Sequence, residues 1–147
     1  MGKTVFQGAG VALVTPMYPD LRINYSMLDQ MIDRQLTGHT DAIVVVGTSG
    51  EGSTLTDEEY CEVVEHTVRR VNHRIPVIAG VGSNNTSHAV ELSKGAARAG
   101  ADALLHVTPY YNKASQRGLV QHFNACANAT DLPVILYNIP SRTGVNI

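Results

Sequence analysis

Five short apolar runs, spaced roughly 30 residues apart, leave this chain few ways to fold. They are Val11–Thr15, Ala42–Val46, Pro76–Ala79, Ala103–Val107 and Val134–Tyr137. Each is too short for a buried helix, and most are rich in β-branched residues, so they read as strands. The segments between them carry apolar residues at helical spacing. Asn24 offers an N-cap to Leu28, Met31, Ile32 and Leu36, and Gly38 closes that helix. Thr56-Asp-Glu-Glu59 reads as a capping box ahead of Val63, Val64, Thr67, Val68 and Val71. Ser87 to Ala99, closed by Gly100, and Gln116 to Ala129 complete the set. The uninterrupted Ala42-Ile-Val-Val-Val46 run has no polar face, so that strand is expected to be buried on both sides.

Strands joined by helices argue for parallel β-α units with right-handed crossovers. Two α/β architectures remain. One is a five-strand doubly wound sheet of the flavodoxin type. The other is the first half, about five strands and four helices, of a (β/α)8 barrel of roughly 250 residues. The length of 147 residues favours the first. The polar residues at the strand ends favour the second. Residues 1–147 are expected to form one unit, since no Pro-rich or Ser-rich linker divides them.

Charge and composition narrow the partners. Hydrophobic residues are 44% and charged residues 16%, with a net charge of −2 and no basic run. That is a core-forming balance with no electrostatic footprint for nucleic acid. No apolar stretch reaches the roughly 18 residues of a membrane span, and Met1 to Phe6 lack the apolar core of a secretory signal. Cys61 and Cys126 lie far apart, which fits a reduced, cytoplasmic protein better than a disulfide scaffold.

Every strand runs into a polar or glycine cluster: Thr15-Pro16, Gly47-Thr-Ser-Gly-Glu51, Gly80-Val-Gly82, Thr108-Pro-Tyr-Tyr-Asn112 and Tyr137-Asn138. That end of a parallel sheet is where ligands bind. The Gly47–Gly52 loop could turn backbone N–H groups, with the Thr48 and Ser49 hydroxyls, toward a small carboxylate or phosphate, though an ordinary βα turn has the same composition. Gly80-Val-Gly82 lacks the third glycine and the acidic partner of a dinucleotide fingerprint. Tyr110, Tyr111 and Tyr137 could pass protons or could pack at a core rim. Arg142 could grip a carboxylate through two bonds or lie solvated in its loop. The six histidines show no metal spacing, and His106, within an apolar strand, reads as a hydrogen-bonded core residue.

Taken together, Val14-Thr-Pro16, Gly47-Thr-Ser-Gly-Glu51, Pro76-Val-Ile-Ala-Gly80, Val107-Thr-Pro-Tyr-Tyr-Asn112 and Leu136-Tyr-Asn-Ile-Pro140 resemble the pyruvate-dependent class I aldolase family, over all 147 residues. That family includes dihydrodipicolinate synthase, sialic acid (N-acetylneuraminate) lyase and keto-deoxy sugar acid aldolases. The resemblance implies the N-terminal half of a barrel and no cofactor. It implies that Thr48 and Ser49 hold the carboxylate of pyruvate and that Tyr137 shuttles the proton that lets water leave the carbinolamine. Thr48, Tyr137 and Tyr111 would form a relay of hydroxyls, Tyr111 coming from a neighbouring subunit of a homodimer or homotetramer. Arg142, within Ser141-Arg-Thr-Gly144, would take the carboxylate of L-aspartate semialdehyde. It favours condensation in lysine and diaminopimelate biosynthesis over cleavage of sialic or keto-deoxy sugar acids. Asn84 and Tyr110 match residues of the family's lysine-inhibition site, but Asp57, Tyr60 and His88 depart from it, so lysine feedback is not expected.

The chemistry so implied needs a buried lysine to form a Schiff base with pyruvate. The family carries it on the sixth strand, past Ile147. None of Lys3, Lys94 and Lys113 sits at a strand end in a water-poor pocket that would lower its pKa, so the 147 residues alone are expected to be inactive. A non-catalytic half-barrel that only binds or assembles is the alternative.

Overall fold

The computed structural model describes residues 4–147. Lys3 and the start of the Met1–Phe6 segment lie outside the described residues. Strands β1 (Gly10–Ala12), β2 (Ala42–Val45), β3 (Val77–Gly80), β4 (Ala103–Val107) and β5 (Val134–Tyr137) form one parallel sheet in the order β1-β2-β3-β4-β5. Helices α1 (Tyr25–Thr37), α2 (Asp57–Val71), α3 (Thr86–Arg98) and α4 (Gln116–Ala127) make the crossovers. A one-turn 3₁₀ segment, Gly52–Thr54, and a short helix, α5 (Pro140–Thr143), supplement them.

The strand order decides between the two architectures. A doubly wound sheet reverses direction at a switch point and carries helices on both faces. Here the order never reverses, and alternate strand residues separate into two clusters. Ile43, Val45, Val77, Ala79 and Leu104 pack with Leu28, Ile32, Val63, Val64 and Ala96 of the helices. Ala42, Ile78 and Ala103 face the other way, with Val44, Leu105 and Ile135. Helices α1, α2 and α3 therefore cover one face, and the other is the inner wall of a half-barrel.

Local sequence explains most boundaries. The Asn24 side chain accepts from Met27 N, and Thr56 with Glu59 forms both bonds of the capping box. Gly100 adopts φ +90°, a conformation glycine reaches without the strain other residues incur. Tyr25, Asp29 and Asp33 of α1 meet Glu62, His66 and Arg70 of α2 rung by rung, with 3.1 Å and 2.8 Å for the first two pairs. Helix α3 starts one residue earlier than predicted, because Asn85 caps it by accepting from Ser87 N and His88 N. Helix α4 ends two residues sooner than predicted, at Ala127. Strand β1 also ends early, at Ala12, and Leu13 N still donates to Val44 O at 2.9 Å. Beyond it, Thr15 leaves the ladder for a side-chain bond.

His106 is a core residue, as its sequence context predicts, with no exposed surface. Its Nε2 lies 3.3 Å from Ser93 Oγ. Both cysteines are free, Cys126 buried and Cys61 half-buried. No helix among the described residues is long and apolar enough to cross a membrane.

Candidate active site

The C-terminal rim of the sheet is built around the loop after β2. Gly50 N and Gly52 N both donate to Gly47 O, at 3.1 and 3.2 Å, and Glu51 N donates to Thr48 O at 3.1 Å. The N–H groups of Gly50 and Gly52 are thus used within the loop, and the missing glycine side chains permit close packing. A Cβ at Gly52 would stand 2.1 Å from Val46 O, and one at Gly80 would stand 2.6 Å from Gly47 Cα. The loop thus folds back on β2 and against the end of β3, leaving Thr48 and Ser49 exposed at its apex.

Thr15 pins this loop from β1. It is 5% exposed, and its Oγ1 donates to Gly50 O at 2.6 Å. Sequence reasoning placed Thr15 among the strand-end polar residues but could not see a bond spanning 35 positions. A second tie joins the loops after β3 and β4, where Asn112 Nδ2 donates to Asn84 O at 2.9 Å.

Tyr137 ends β5 opposite Val107 of β4. It shares a face with Ile135, so it points to the inner wall of the half-barrel. Tyr111 is 89% exposed and adopts φ +70°, an uncommon conformation for an aromatic residue. Its N–H donates to Thr143 O at 3.3 Å, which ties the loop after β4 to α5. Arg142 is exposed on α5 and makes no ion pair among the described residues. Buried Thr143 fixes that turn, with Oγ1 3.1 Å from Ile139 O and 3.0 Å from Val145 O.

Thr48, Ser49, Tyr111, Tyr137 and Arg142 thus stand on one rim, but no hydrogen bond joins Thr48, Tyr111 and Tyr137 among the described residues. Strands β3 and β4 separate β2 from β5. At about 4.8 Å per strand, that is on the order of 14 Å along the sheet, which only the barrel's curvature shortens. Lys94 pairs with Glu91 at 2.9 Å on α3, and Lys113 is exposed with φ +50°. Neither reaches the rim as a buried amine. Between α2 and α3, His88 Nε2 lies 2.9 Å from Asp57 Oδ1, while the buried Tyr60 hydroxyl has no partner. No group of three or more metal-ligating side chains occurs among the described residues. A depression of about 680 Å³ is lined by Asp33, His39, Asp41 and Arg74 at the opposite end of the strands. It contains none of the rim residues.

This fold and rim define a class: the half of a (β/α)8 barrel that carries a ligand-binding edge at the C-terminal ends of its strands. A sequence profile of the Dihydrodipicolinate synthetase family matches residues 5–147, and the chain belongs to that family. The 4-hydroxy-tetrahydrodipicolinate synthase of Acetivibrio thermocellus is 53% identical over 147 residues, which are 100% of this chain and 50% of that protein. The synthase of the same name from Clostridium perfringens is 54% identical over 143 residues, covering 97% of this chain and 49% of its own. Among solved structures, the chloride-inhibited dihydrodipicolinate synthase of Acinetobacter baumannii, complexed with pyruvate, superposes with a TM-score of 0.94 at 50% identity. It covers 97% of this chain and 49% of its own. The enzyme from Aquifex aeolicus gives 0.93 at 50% identity, covering 97% of this chain and 48% of its own. The chain spans about half the length of the relatives it matches.

Proposed function

We propose that this chain forms the pyruvate-binding half of a 4-hydroxy-tetrahydrodipicolinate synthase-type aldolase, which condenses pyruvate with L-aspartate semialdehyde through a lysine Schiff base. The observation that carries the reading is the Thr48–Ser49 apex, held by loop-internal bonds and presented on the same rim as Tyr137. The match to relatives of that name, and to a neighbour complexed with pyruvate, supports it.

The chemistry follows from the residues. Carbinolamine formation at a lysine amine leaves a hydroxyl that must depart as water, and a phenol can deliver the proton. Tyr137 takes that role. Thr48 and Ser49 hold the pyruvate carboxylate through hydroxyl and N–H donors, an interaction strengthened by the charge on the acceptor. Arg142, without an internal ion pair, offers a planar fork to the second substrate's carboxylate. Tyr111, exposed on a strained backbone, completes the relay in a neighbouring subunit of a homo-oligomer; its exposure supports a role outside its own chain. Lys94 and Lys113 do not fit the nucleophile and Lys3 precedes the first strand, so the amine belongs to none of these three lysines, and the isolated 147 residues are inactive. Asp57, Tyr60 and His88, which depart from the family's lysine-inhibition site, count against lysine feedback.

The test is turnover by the complete gene product. Condensation of pyruvate with aspartate semialdehyde, faster than cleavage of sialic or keto-deoxy sugar acids, is the expected result. Preference for the sugar acids would transfer the assignment to those lyases, and failure to turn over any of them would leave a binding or assembly role.

A further inference from the structure

We propose that Thr15 is a positioning residue for the carboxylate cradle at Thr48–Ser49, acting through the Gly50–Glu51 peptide. The proposal rests on the function proposed above. The relay is short and each link is a hydrogen bond or a rigid plane. Thr15 Oγ1 donates to Gly50 O at 2.6 Å in a site where Thr15 is 5% exposed. Gly50 C=O and Glu51 N–H belong to one planar trans peptide and point in opposite directions. Glu51 N donates to Thr48 O at 3.1 Å. Thr48 C=O in turn shares a plane with Ser49 N–H, which finds no acceptor among the described residues. Holding the Gly50 carbonyl from one side therefore aims the Ser49 N–H from the other.

Thr15 is itself held fixed. Leu13 N bonds Val44 O at 2.9 Å before it, and Pro16 after it restricts its backbone to the extended region. Pro16 O accepts from Asn24 N at 2.8 Å. The loop is also pressed against this segment, since a Cβ at Gly50 would stand 3.1 Å from Leu13 O. The β1 end thus works as a fixed post, and the Thr15 hydroxyl makes the single side-chain bond from it to the loop among the described residues. Glu51, at φ +53°, is the residue most prone to relax when that bond is lost.

An anion held by Ser49 N–H in both ground and transition states contributes uniform binding, so its misplacement raises KM rather than lowering kcat. Thr15→Val keeps the shape and removes the donor, whereas Thr15→Ser keeps the donor. In the complete gene product, Thr15→Val is expected to raise KM for pyruvate by on the order of tenfold, with kcat and the KM of the aldehyde substrate little changed. Thr15→Ser restores the wild-type value. Thr15→Cys, a weak donor of similar size, gives the same split at smaller amplitude if the valine variant does not fold. Amide exchange supplies a readout independent of turnover: Glu51 N–H should exchange about tenfold faster in Thr15→Val and at the wild-type rate in Thr15→Ser. An unchanged KM for pyruvate, a parallel rise in both KM values, or failure of serine to rescue would overturn the proposal. If the wild-type protein does not condense pyruvate at all, the functional reading fails. The exchange rates then decide the relay alone, and an unchanged Glu51 amide overturns it.

Discussion

Acid should loosen the layer between β4 and helices α3 and α4, and His106 sets the size of the effect. Ser93 Oγ gives its one proton to Ala89 O at 2.6 Å, so it can only accept from His106 Nε2 at 3.3 Å. That fixes the Nε2–H tautomer and leaves Nδ1, which has no partner, as a buried lone pair. Burial, with nearby His122 adding repulsion, pushes the imidazole from 6.5 down to about 4. The unfolded chain takes up a proton near pH 6.5, and the folded chain resists until about pH 4. Stability is therefore complete above 6.5 and falls as pH drops through that window. The loss is about 1.4 kcal/mol per pH unit, reaching about 3 kcal/mol. The comparison is urea unfolding of wild type and His106→Leu, which removes the titration at similar volume, across pH 7.5 to 4. The stability difference should shift against wild type by about 3 kcal/mol over that range. Parallel pH profiles would refute the argument, because contributions from titrating groups that do not interact with His106 cancel in the difference.

Other perturbations test the rim. Gly52→Ala places a methyl where Val46 O stands 2.1 Å away, so the loop must shift, and a stability loss of about 1–3 kcal/mol is expected in thermal or urea unfolding. Tyr137→Phe in the complete gene product should lower kcat by about 10²-fold or more while KM for pyruvate changes little, as steady-state kinetics would show. Arg142→Ala should raise KM for the aldehyde substrate on the order of tenfold or more and spare pyruvate; equal effects on both would remove Arg142 from the second-substrate role.

Much of this architecture is legible in the sequence because local rules carry it. Strands β4 and β5 run over the predicted residues, and Asn24, Thr56 and Glu59 cap where their side chains dictate. Strand order is different. Periodicity says that strands alternate with helices, but it does not say whether the sheet reverses, and the unbroken order settles that only in three dimensions. Helix α5 escaped notice although its punctuation was present, Pro140 at its start and Gly144 in the left-handed conformation at its end. The rim shows the same division. Composition identified Thr48, Ser49, Tyr137 and Arg142 as strand-end polar residues. The Thr15 bond to Gly50 spans 35 positions and is invisible to any local pattern. The purpose of the loop glycines was also hidden, since it depends on which backbone lies against them.

The central claim is that this chain serves a Schiff-base aldolase, and trapping tests it most directly. The complete gene product is incubated with pyruvate and borohydride, and its intact mass and peptides are measured. The account predicts one reduced pyruvyl group per subunit, on a lysine other than Lys3, Lys94 or Lys113. An unmodified protein, or an adduct on any of those three, would contradict it.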